Sequence, residues 1–199
     1  MKPIIWIAGL LLLIAVAAGA FIWSGVYNIA ADDPHWAVTA NVLETVRERS
    51  IETRISGIAV PELGGEAQVR KGAGNYDEMC ADCHRHPGED QSELGGGMYP
   101  APPDLSEHRV TDPAEAFWVI KHGIKMSGMP AWGEHMDDEA IWDMVAFLQH
   151  LPELSQSSYD ELVESSEGHA HGSGDDHEAE VGRAANHVHA DGAEHEHND

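Results

Sequence analysis

Three side chains suited to redox or metal chemistry crowd into one stretch, Met79-Cys80-Ala81-Asp82-Cys83-His84, which holds both cysteines of the 199-residue chain. Cys80 and Cys83 stand three apart and His84 follows directly, so on a helix all three address one side. Two thiols can add across the vinyl groups of a flat macrocycle while the imidazole ligates its iron, and C-x-x-C-H is the spacing that attaches a haem covalently. A zinc site would need a second pair of ligands, and the chain has no further cysteine. A redox C-x-x-C belongs beside a βαβ pattern, and a disulfide would leave His84 unexplained.

With His84 on one face of the iron, the opposite face takes a methionine thioether where electrons are carried at high potential. The candidates are Met79, Met98, Met126, Met129, Met136 and Met144. Met79 is too close to the attachment site, and Met136 and Met144 fall near or on the last helix, where packing explains them. Met98 lies in a glycine-rich loop. Met126 and Met129 share the segment "GIKMSGMPAW".

The elements that must position these residues read as helices. One is expected from about Val69 through His84, where Tyr76, Met79, Cys80 and Cys83 recur at three- and four-residue steps. Gly72 and Gly74 weaken it unless close packing needs them. Residues 87–103, rich in glycine and proline, read as an extended loop. Asp112-Pro113-Ala114-Glu115 has an N-cap, a proline at the first helical position and a capping-box glutamate; that helix should stop near Gly123. A last helix begins near Asp137-Asp138-Glu139, carries Ile141, Met144, Val145, Leu148 and Leu151 on one face, and ends at Pro152. No convincing strand alternation appears, so the fold class is all-α, and so small a helical domain benefits from a covalent staple.

Over about residues 70–152 the chain resembles the class I cytochrome c family. Gly72, Tyr76 and Cys80-Ala81-Asp82-Cys83-His84 match the family's first helix, and Gly128-Met129-Pro130-Ala131-Trp132 matches its methionine motif. The resemblance implies one covalent haem c held by Cys80, Cys83, His84 and Met129, with His84 and Met129 the axial iron ligands and Met126 the main rival. It also implies a last helix crossing the first, with Phe147 and Met144 against Gly72 and Tyr76. Pro102 or Pro103 should accept from the free ring N–H of His84. His86, His108, His122, His135 and His150 are read as surface or core residues. The function implied is an electron carrier, not an enzyme, with redox proteins as donor and acceptor; the alternatives are the electron-entry subunit of a larger oxidase or reductase, or a metal-handling protein acting through its histidine-rich tail.

Both ends of the chain differ in composition from this middle. Residues 3–27 have no ionisable side chain except that of Tyr27, long enough to cross a bilayer. Lys2 precedes this run and Asp32 and Asp33 follow, so the N-terminus is expected in the cytoplasm and the rest outside, in the periplasm or its equivalent. A cleaved signal peptide ending at Ala20 is the competing reading, but Phe21-Ile22-Trp23 carries the apolar run past that point. The expected organisation is a transmembrane anchor over 1–28, an amphipathic juxtamembrane helix and linker over 29–65, the helical domain over 66–154, and a disordered acidic tail over 155–199.

The net charge of −24 divides as −2, −11 and −11 over residues 1–62, 63–154 and 155–199. Such a chain repels nucleic acid and attracts basic protein faces or cations. In the tail, the pairs His169/His171, His187/His189 and His195/His197 bring imidazoles within reach of one ion, so Cu, Ni or Zn could bind there. His177 stands alone among acids.

Overall fold

A computed structural model describes residues 2–166 and Gly168, and among these residues there are eight α-helices, two 3-10 turns and no strand. The tail histidines expected to hold a metal ion, His169, His171, His187, His189, His195 and His197, lie outside the described residues, as does His177. Among the described residues no group of three or more histidine, cysteine or acidic side chains is placed to hold a metal ion.

The apolar N-terminal run forms α1, Lys2–Ser24. Its Pro3–Ser24 portion is long and apolar enough to cross a membrane, with mean hydropathy 2.6, and none of its residues is buried. Gly25, at φ +64°, takes the left-handed conformation that ends a helix. The juxtamembrane pattern becomes α2, Ala37–Ile55. Its Ile51 is buried where α2 packs on α6, while Val38, Val42 and Val46 remain exposed.

The domain is built on the crossing of α3, Glu66–Met79, with α7, Asp138–Leu148. Gly72 permits it: a Cβ there would lie 2.6 Å from the carbonyl carbon of Asp143 and 2.8 Å from Cβ of Phe147. Tyr76 then meets Phe147 with ring centroids 5.3 Å apart. Ile141, Met144, Val145 and Phe147 are wholly buried, each contributing about 1.5–3 kcal/mol by leaving water. The helix α6, Pro113–His122, starts as its sequence dictates, with the Asp112 carboxylate accepting from the N–H groups of Ala114 and Glu115 and Gly123 closing it. Asp137 caps α7 by accepting from the N–H of Ala140 at 2.9 Å.

Four expectations are corrected. The helix expected over Val69–His84 breaks at Cys80, at φ −120°, and resumes as the single turn α4, Ala81–His84. The buried phenol of Tyr76 donates to the carbonyl of Arg85 at 2.5 Å. On a straight helix those two residues would stand about 13 Å apart along the axis, so this bond needs the chain to fold back. The loop over 87–103 contains one helical turn, α5, Glu93–Gly96, which Ser92 caps. The last helix stops at Leu148, and Leu151 and Pro152 belong to a 3-10 turn, Leu151–Glu153.

The fourth correction concerns the tail. Residues expected to be disordered form α8, Gln156–Glu164, capped by Ser155 and packed on α3. Its Tyr159 is 2% exposed, donates to the Asp77 carboxylate at 2.7 Å and stacks on His86 at 5.0 Å. A Cβ on Gly74 would lie 2.5 Å from the Ser166 hydroxyl, so the second glycine of α3 makes room for this extension. The folded domain therefore continues past residue 154.

Tyr159→Ala should lower unfolding stability by roughly 3 kcal/mol in denaturant titration, since it opens a cavity and strips Asp77 of its donor. A truncation after Ser155 should be at least as damaging. Burial at the crossing pushes the Asp143 carboxyl up to about 6, with Glu139 and Asp137 adding to the rise and Lys71 and Gln68 opposing it. The folded state then holds its proton more tightly than the unfolded state, so this group's contribution to stability falls as pH rises from about 4 to about 6. Asp143→Asn should be more stable than the parent at pH 7, and melting curves should show the difference shrinking below pH 4.

Candidate functional site

The single turn α4 gathers the three residues that the sequence singles out. Cys80 and Cys83 are both half-buried and not joined in a disulfide. Burial pushes the Cys80 thiol up to about 12, with Cys83 beside it adding to the shift, and burial also raises the Cys83 thiol. Both shifts disfavour the thiolate, the form that attacks disulfides.

His84 is held on two sides by the segment that follows Pro102. Its Nδ1 lies 2.9 Å from the carbonyl oxygen of Pro103, and a carbonyl only accepts, so Nδ1 carries the proton and Nε2 keeps its lone pair. Of the two prolines expected in this role, Pro103 fills it. The backbone carbonyl of His84 accepts from the N–H of Leu105 at 3.1 Å. Burial lowers the imidazole pKa, which keeps the ring neutral, the state that can ligate a metal. Next to it, Arg85 donates to the Asp104 carboxylate at 2.8 Å, and Asp104 also accepts from the Ser106 amide and hydroxyl. Arg85 and Asp104 were not singled out in the sequence; they are 19 residues apart, and nothing local announces the pair.

The methionine segment is closed by its own backbone. Ile124 donates its N–H to the Met129 carbonyl at 3.1 Å, and the Met129 N–H donates to the Ser127 hydroxyl at 3.2 Å. Gly123 sits beneath at φ +63°, where a Cβ would lie 2.6 Å from the Pro130 carbonyl carbon and 2.8 Å from the Met129 oxygen. Ser127 was also missed, although a serine two residues before a turn residue is a known local hydrogen-bonding pattern. Met129 is half-buried against the core, as are Met79 and Cys80. Met126, at φ +59°, is 83% exposed. Met136 and Met144 lie in the core, as their positions implied. The Met98 sulfur lies against Gly128, 2.7 Å from where a Cβ would be, so the loop after α5 touches the methionine segment.

This donor set fits a covalent haem: two thiols uncommitted to a disulfide, an imidazole with one nitrogen engaged and the other free, and a partly covered thioether in a closed segment. Residues 67–148 match the family model for cytochrome c oxidase, cbb3-type, subunit III, a stretch that opens at the start of α3 and ends with α7. No curated protein matches the chain. The match, the C-x-x-C-H turn and the all-helical fold agree, and residues 67–148 are accordingly a c-type cytochrome domain of the monohaem cytochrome c family.

Proposed function

We propose that this chain is a membrane-tethered monohaem cytochrome that carries single electrons on the outer face of the membrane. The observation that carries the reading is the Pro103 carbonyl on Nδ1 of His84, which orients the ring and presents Nε2 as a ligand. Cys80 and Cys83 would hold the haem through thioethers, and His84 and Met129 would ligate its iron. Held by these four residues, the haem would supply a one-electron couple.

The protein's residues set the conditions for that couple. Pro103 fixes the imidazole's tautomer, and Ser127 and Gly123 fix the turn that carries the thioether. The net charge of −24 favours a redox partner with a basic face and disfavours nucleic acid. Lys2 at the start of α1 and Asp32 and Asp33 after it favour a cytoplasmic N-terminus and a domain on the far side of the membrane.

A second reading, in which the chain is a haem-bearing subunit of a larger oxidase, is favoured by the matched family's description. Purification from native membranes in mild detergent separates the two, since a subunit stays in fixed stoichiometry with its partners and a carrier does not.

Met129→Ala should abolish the thioether-to-iron charge-transfer band of the oxidised protein and lower its reduction potential, while Met126→Ala changes neither. The opposite pattern would reassign the ligand, and loss of the band in Met98→Ala alone would point to that loop. Gly123→Ala should weaken the band while leaving the covalent haem in place. The new methyl group would strike the Met129–Pro130 backbone at a left-handed φ, and the absorption spectrum reads both effects.

A further inference from the structure

Between the end of α1 and the start of α2, five rings from three parts of the chain meet. Phe21 of α1 lies 6.5 Å from Tyr27 and 6.1 Å from Trp36, and Tyr27 meets Trp36 edge-on at 5.0 Å. The Tyr27 hydroxyl and His35 Nδ1 are 2.9 Å apart. On its other side His35 donates its backbone N–H to the Tyr99 hydroxyl at 3.2 Å and packs edge-on against that ring at 5.1 Å. The connection itself is folded: Asn28 donates to the Asp33 carboxylate and accepts from the Ala30 N–H.

Tyr99 belongs to the segment that serves the candidate site. Its neighbour Met98 lies against Gly128, and four residues later Pro103 accepts from His84. One short segment thus touches the anchor's exit, the methionine segment and the ligand histidine.

The outward faces of this junction are apolar. Trp23, Val26, Ile29, Trp36 and Val38 are all more than half exposed, although Val26 through Val38 lie beyond the apolar helix. This surface continues directly from α1, and tryptophan and tyrosine at the end of an apolar span favour the headgroup layer of a bilayer. A free tether would need none of these contacts.

We propose that this aromatic junction sits in the phospholipid headgroup layer and, through His35 and Tyr99, clamps the cytochrome domain to the membrane in one orientation. The inference rests on the proposed haem-carrying function and adds that the haem plane keeps a fixed angle to the bilayer.

The test is electron paramagnetic resonance of the oxidised full-length protein in oriented phosphatidylcholine multilayers at low protein-to-lipid ratio. The low-spin haem signals should change in intensity as the membrane normal is rotated in the field. His35→Ala and Tyr99→Ala should lose that angular dependence while keeping the parent's g values, because neither residue is a haem ligand. Angular independence in the parent, or full dependence retained in both variants, overturns the clamp. Dependence that appears only at high protein density assigns the apolar face to a second copy and overturns the lipid assignment. A protein with no haem signal, or one that fails to float with vesicles, removes the functional reading and the clamp with it. As a readout independent of haem, amide exchange in the His35 segment should quicken in Tyr99→Phe.

Discussion

The structure depends on one close approach, that of the α7 backbone to Gly72 of α3. With hydrogen in place of a side chain at 72, the Asp143 carbonyl reaches space that any Cβ would occupy, and the two helices cross at backbone contact. That crossing buries Tyr76 against Phe147 and directs its hydroxyl to Arg85. The fold-back at Cys80 follows, and with it the turn that gathers Cys80, Cys83 and His84. The cost is also local, since the same contact buries the Asp143 carboxyl and raises its pKa.

Around this crossing, two segments of irregular chain do the positioning. One, from Met98 to Asp104, reaches His84 through Pro103 and Arg85 through Asp104. The other, from Gly123 to Pro130, closes on itself through one backbone hydrogen bond and one from the Met129 N–H to the Ser127 hydroxyl before presenting Met129. Such restraint would suit the proposed electron carrier, because ligands that stay in place in both oxidation states leave little to reorganise when the electron moves.

The domain also extends past the stretch that matches the family. The helix α8 lies along α3 on the side of Gly74, and Tyr159 both bonds to Asp77 and stacks on His86, two residues beyond His84. It supports α3 and the exit of the C-x-x-C-H turn from behind, which is a structural role that short, mostly polar sequence conceals.

Much of the site was legible in the chain itself. The C-x-x-C-H spacing, the Asp112-Pro113 cap, the apolar run of α1 and the face of α7 are each set by contacts within a few residues, so local spacing reports them. The packing role of Gly72 was legible only through the resemblance to class I cytochromes c, which implies a last helix crossing the first at that glycine. What the tertiary structure alone decided are the pairings between distant segments: Pro103 over Pro102, Met98 against Gly128, Tyr76 with Arg85, α8 on Gly74, and His35 with Tyr99. Each depends on where a loop lies once the helices have packed, and that position is a sum of many weak contacts. Sequence spacing encodes chemistry carried on one turn of helix; it holds no record of which distant carbonyl, ring or sulfur will be brought to meet it.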